Sequence, residues 1–193
     1  FKGKNLGSLD RIAEIVQQLD TIEKVVITPY TQQDFDISGI PRAVKYDEFK
    51  AKEDNLEVEF TQLPFDHPLY IMFTSGTTGL PKCMVQSAGG ILVHHMKELI
   101  LHTNLSREDT IFYFTTCGWM MWNWLVSSLA VGARLLLFDG NPFHPFPGVL
   151  WKTAQDEKIT VFGTSAGYIA ALMNEGVKPG KEYDLSSLKS LLS

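Results

Sequence analysis

The chain has 193 residues, 45% of them hydrophobic and 20% charged, the balance of an ordinary globular fold, with one domain as the expectation. A net charge of −5 supplies no electrostatic footing for nucleic acid or for an anionic membrane surface. No apolar run reaches the ~18 residues that a bilayer-spanning helix needs.

The chain opens on Phe-Lys-Gly-Lys, which has neither an initiating methionine nor the character of a signal peptide. Ser8 stands ready to cap a helix whose apolar positions, Leu9, Ile12, Ile15, Val16 and Leu19, recur at helical spacing. Residues 24–28 (KVVIT) read as a short parallel strand, and the polar stretch 31–42, punctuated by Gly39 and Pro41, as a loop. The charged segment 47–55 reads as a helix. Tyr70-Ile71-Met72-Phe73 is an apolar run with the look of a buried strand.

That run delivers nine residues dense in chemistry: Thr74-Ser75-Gly76-Thr77-Thr78-Gly79-Leu80-Pro81-Lys82. Small residues let the backbone turn tightly and aim its N–H groups at one point, while hydroxyls and a lysine add donors, a kit for gripping polyphosphate. The segment is not a Walker A loop, because Pro81 occupies the second glycine position and Cys83 follows the lysine where a hydroxyl should stand. A dinucleotide G-x-G-x-x-G fingerprint is also missing. Cys83-Met84-Val85-Gln86 continues as a strand, which makes the element strand, phosphate-sized loop, returning strand. Composition alone favours a hairpin turn without a ligand, because such residues dominate turns generally.

Downstream, 91–101 reads as a helix, 109–115 as a strand, 120–131 as an apolar helix and 134–138 as a strand. The pattern continues with helix 149–157, strand 159–162 and helix 165–174, and the last residues, Leu191-Leu192-Ser193, look like the start of another strand. Strands alternating with helices of about ten residues predict an α/β fold, a mainly parallel sheet flanked by helices on both faces.

Two other patterns compete for function. Gly163-Thr164-Ser165-Ala166-Gly167 fits the G-x-S-x-G of a hydrolase nucleophile elbow, but no histidine follows Ser165, so the turn reads as a helix start capped by Thr164 or Ser165. His94, Glu98 and His102 share one helix face, with the histidines two turns apart and Lys97 alongside, and read as a solvated face with no metal site. Cys83 and Cys117 lack C-x-x-C spacing, which points to a reducing, cytoplasmic setting.

The ordered run 74–82 matches [ST]-[ST]-G-[ST]-[ST]-G-x-P-K at every position and resembles the phosphate loop of the adenylate-forming superfamily, which includes acyl-CoA synthetases, luciferases and peptide-synthetase adenylation domains. Ser87-Ala88-Gly89-Gly90 and Cys117-Gly118-Trp119-Met120-Met121-Trp122-Asn123-Trp124 are similar to the short-chain branch. With Phe138-Asp139-Gly140-Asn141-Pro142, they are similar to the acetoacetyl-CoA synthetase family rather than the acetyl-CoA synthetases.

The resemblance implies that residues 1–193 are an incomplete N-terminal domain that binds ATP and the acyl group. The rest of that domain and a mobile C-terminal domain would lie elsewhere in the same protein, so the isolated chain would be inactive. It implies a ligase that joins acetoacetate to CoA through an acyl-adenylate, using ATP with Mg2+ and taking CoA as co-substrate, with small molecules as its partners. Activation of acetate or propionate, and a non-catalytic nucleotide-binding module, stay open as alternatives.

By the same resemblance, Thr74, Ser75, Gly76, Thr77, Thr78, Gly79 and Lys82 hold the triphosphate, and Lys82 is the catalytic cation. Trp119, Met120 and Met121 line the acyl pocket, Trp122 and Trp124 divide between pocket and core, and Asn123 offers an amide to a 3-keto oxygen. Gln86 stands where relatives carry histidine, and Gly167 where they often carry lysine.

Overall fold

The computed structural model describes residues 6–30, 33–52, 57–74 and 79–193. The chain forms two compact units, Phe1–Phe60 and Thr61–Ser193.

In the first unit, helix α1 (Leu9–Gln17) follows Ser8, buries Val16 and takes the predicted place, although the Ser8 side chain makes no capping bond. Strands β1 (Val25–Ile27) and β2 (Ala43–Lys45) pair in parallel. Arg42 fastens the unit by donating from its guanidinium to the carbonyls of Val16 (3.1 Å) and Leu19 (3.3 Å) at the end of α1. Of the helix expected over 47–55, the described residues form one turn, α2 (Tyr46–Phe49), with Lys50 already extended, while residues 53–55 lie outside the described residues. The segment has charge but no apolar stripe to bury, and a short helix without a packed face does not propagate.

The second unit is built on a parallel sheet of four strands in the order β6 (Arg134–Leu136), β5 (Thr110–Tyr113), β7 (Val161–Gly163), β8 (Ser190–Leu192). Alternation along the central strands sends side chains to two different cores. Phe112 and Phe162 pack with Leu150 and Trp151 of α5 (Val149–Asp156) and with Tyr168 and Leu172 of α6 (Ala166–Asn174). Trp151 stacks on Phe162 at 4.4 Å. Ile111 and Val161 point the other way, onto Leu99, Trp124 and Leu125. Leu99 belongs to the π-helical turn Lys97–His102 that extends α3 (Ala88–Met96), and Trp124 and Leu125 to α4 (Met120–Val126). Helices therefore cover both faces, as the alternation of elements predicts. A 3₁₀ turn, Ser127–Val131, follows α4 and ends at Gly132, whose φ of 85° is a left-handed conformation that glycine adopts without strain. The short helix α7 (Pro179–Glu182) was not foreseen.

An antiparallel hairpin, β3 (Pro68–Phe73) and β4 (Cys83–Ser87), precedes α3. Its partners are the expected ones, but its burial is not. Ile71 and Phe73 are 61% and 66% exposed, so Tyr70–Phe73 is not a buried strand. An apolar run reports on strand formation, whereas burial requires a covering layer, which the described residues do not supply over this face. The amides of Ala88 and Gly89 donate to the carbonyls of His67 (2.8 Å) and Phe65 (2.9 Å), fixing the start of α3 to the segment that enters the hairpin.

Candidate functional site

The hairpin closes around residues 74–82 through two bonds. The Thr74 amide donates to the Lys82 carbonyl at 3.0 Å, and the Lys82 amide donates to Thr74 Oγ1 at 3.3 Å. Ser75, Gly76, Thr77 and Thr78 lie outside the described residues. At the rim, Gly79 and Lys82 are exposed and Leu80 is 90% exposed. Lys82 forms no ion pair with another described residue. The described portion of the loop is thus open, with a free cation on its returning limb, which fits a polyphosphate approaching from solvent.

A cleft of about 440 Å³ lies beside the carboxyl ends of β5 and β8, where open parallel sheets place their ligands. Its apolar wall includes Met120 and Met121 from the first turn of α4, Trp124 one turn further on, and Tyr113 from the end of β5. Tyr113 lies over Gly163 and its hydroxyl donates to the Thr164 carbonyl at 3.4 Å, while burial raises its phenol pKa above the ordinary value. Trp124 is also a core residue, with Tyr113 edge-on at 6.2 Å. Trp119 precedes α4 in extended conformation, is 64% exposed and does not line this cleft.

The opposite wall is polar and comes from α3 and its π-helical extension. His94, Glu98 and His102 do share a surface, and they share it with the cleft. His94 and His102 are exposed, whereas Glu98 pairs with Lys97 at 2.7 Å, and that bond lowers its pKa. Among the described residues, no group of three or more His, Cys, Asp or Glu side chains could hold a metal ion. His95 is different, being 5% exposed, with Nδ1 2.9 Å from Ser127 Oγ. Burial, and secondarily the neighbouring His94, push its pKa below the ordinary value despite Glu98, so the ring is neutral near pH 7.

The Asn123 amide uses one of its N–H groups within the protein. Its Nδ2 donates to Met72 Sδ at 3.4 Å, which ties α4 to the hairpin strand that leads into the loop. Ser165 caps α6, accepting from the Tyr168 amide at 3.2 Å, so the G-x-S-x-G turn is a helix start, as the missing histidine implies. Its neighbour Thr164 is fully buried with an unpartnered hydroxyl.

Residues 8–193 match the model of the AMP-binding enzyme family. The chain belongs to that family. Among relatives of this AMP-binding chain, an acetoacetyl-CoA synthetase of Danio rerio is 47% identical over 199 residues, covering all of this chain and 30% of the relative. An acetoacetyl-coenzyme A synthetase of Rhizobium meliloti (strain 1021) is 45% identical, again covering all of the chain and 30% of the relative. The solved structure of an acetoacetyl-CoA synthetase from Streptomyces lividans superposes with a TM-score of 0.87 at 39% identity, covering 99% of this chain and 29% of that one. This AMP-binding chain therefore spans about 30% of the length of the curated relatives it matches.

Met120 and Met121, which the sequence singles out, line the cleft together with His95 and Tyr113, which it does not. His95 sits in a row with His94 and looks equally exposed in a linear reading; only the helix phase, set by packing of Leu99 into the core, turns it inward.

Proposed function

We propose that this chain supplies the triphosphate loop and the acyl pocket of an enzyme that activates a short 3-oxo acid, acetoacetate, for transfer to CoA. The observation that carries the reading is the tie between two sites. Thr74 and Lys82 clasp the base of a loop whose described residues Gly79, Leu80 and Lys82 are exposed, and two residues upstream Met72 accepts from Asn123 of the helix that carries Met120 and Met121. Relatives matched along the whole chain and described as acetoacetyl-CoA synthetases support the choice of acid.

In this reading the carboxylate oxygen of the acid attacks the α-phosphorus of ATP, and the bond to the bridging oxygen breaks to release pyrophosphate. The CoA sulfur then attacks the acyl carbon and AMP leaves. The demand on the protein is to hold attacking and leaving oxygens in line and to neutralise charge as it develops. Thr74, Ser75, Gly76, Thr77, Thr78 and Gly79 supply amides and hydroxyls to the β- and γ-phosphates, and Lys82 supplies the cation. Mg2+ enters as the ion carried by ATP, sharing its charge. Met120 and Met121 hold the acyl chain, whereas Trp119, one residue before the helix, does not line the cleft. The remaining groups of the reaction, and the C-terminal domain that completes it, belong to the rest of the parent protein.

The test is pyrophosphate release by the full-length parent protein with acetate, acetoacetate and butyrate in turn. Acetoacetate should give the highest kcat/KM. Preference for acetate would move the reading to an acetyl-type synthetase, and no release with any acid would reduce the chain to a nucleotide-binding module.

A further inference from the structure

The cleft assigned to the acyl chain has a polar feature that an apolar pocket does not need. His95 Nδ1 is engaged by Ser127, and Ser127 Oγ in turn bonds the carbonyl of Asn123 at 3.0 Å. A hydroxyl has one proton. While Ser127 donates to Asn123 it must accept from His95, so Nδ1 carries the ring hydrogen and Nε2 carries a lone pair. If the Ser127 hydroxyl turns to donate to Nδ1, the ring hydrogen moves to Nε2. The pair can therefore present either an acceptor or a donor at Nε2.

Nε2 has no partner among the described residues, yet it is not one of the sealed, unpartnered polar atoms, which are Trp151 Nε1, Thr164 Oγ1 and Tyr168 OH. His95 itself lines the cleft. The same cleft is lined by apolar Met120, Met121, Trp124 and Leu192 and by the polar residues His94, Glu98, His102, Thr103, Tyr113 and Ser193, with the Tyr113 hydroxyl already donating to the Thr164 carbonyl. A ligand that fills the cleft with hydrocarbon alone would strip water from Nε2 and leave it unsatisfied, whereas a ligand with an oxygen along its chain would pair it.

We infer that His95 is a specificity-determining residue whose Nε2 hydrogen-bonds the C3 oxygen of the bound acyl chain, with Ser127 setting which nitrogen carries the proton. The inference rests on the acyl-pocket reading of this cleft and adds the group that distinguishes a 3-oxo acid from a plain alkyl acid of the same length.

The experiment uses the full-length parent enzyme and compares kcat/KM for acetoacetate with that for butyrate, which has the same chain length and no oxygen at C3. His95→Leu should lower the ratio by about 10- to 100-fold, the size expected when a site built to pair an oxygen loses its partner. Ser127→Ala, which keeps the imidazole but releases its proton, should lower the ratio by about 3-fold or more and provides the measurement if the leucine variant does not fold. A ratio unchanged in either folded variant overturns the inference. So does a parallel fall for both acids, which would mark His95 as structural only. Should the unaltered enzyme release pyrophosphate with neither acid, the proposed function itself fails, a result separable from the other two.

Discussion

Asp109 offers the sharpest test of how the sheet is held together. It immediately precedes β5, its side chain is fully buried, and its carboxylate is held by Lys189 and by Ser106. Lys189 Nζ lies 2.6 Å from Oδ1, eighty residues away in sequence, while the Ser106 amide and hydroxyl each donate to Oδ2 at 2.8 Å. Burial is the largest single influence on this carboxyl and by itself would raise its pKa. The bonds from Lys189, Ser106 and Thr160 together outweigh it and hold the pKa down at about 2, against an ordinary value of 3.8. The folded-state pKa is depressed, so the stabilisation is fully present above about pH 4 and is lost as pH falls toward 2. A shift of that size corresponds to about 2 kcal/mol of unfolding free energy, an upper figure because Lys189 is itself 57% exposed and screened by solvent.

The assay is urea unfolding of the 193-residue chain and of its Asp109→Asn variant across that pH range, followed by tryptophan fluorescence. All four tryptophans, 119, 122, 124 and 151, belong to the unit Thr61–Ser193, so the signal reports the unit that contains Asp109. The unaltered chain should be more stable by about 2 kcal/mol near neutral pH, and the gap should close in acid. A gap that stays constant from neutral pH to about pH 2 would refute the electrostatic account, since removal of packing alone does not titrate.

Two further outcomes are expected. Lys82→Ala in the full-length enzyme should slow adenylation by about a hundredfold or more and weaken ATP binding; unchanged ATP affinity and turnover would remove the loop assignment. Gly163→Ala would place a methyl 2.0 Å from the Tyr113 ring, which is packed over that glycine, so the ring must leave its position. A loss of about 1–3 kcal/mol in thermal or urea unfolding follows, together with a distorted cleft, and a variant as stable as the parent would show that Tyr113 is free to move.

The amino-acid sequence by itself showed most of the order of elements, without β2 and α7, and singled out the run 74–82. Both are local: β-branched and aromatic runs favour strands, helical spacing marks helices, and the fixed order of small residues ending in Pro81-Lys82 is legible without neighbours. Tertiary structure decided everything that depends on what lies opposite. It left the apolar hairpin strand exposed, ended the helix Tyr46–Phe49 after one turn, and turned Asn123 toward Met72. It also brought Lys189 onto Asp109 and rotated His95, but not His94, into the protein. Burial and hydrogen-bond partnership are properties of pairs of surfaces separated by many residues, and a linear pattern specifies only one member of each pair.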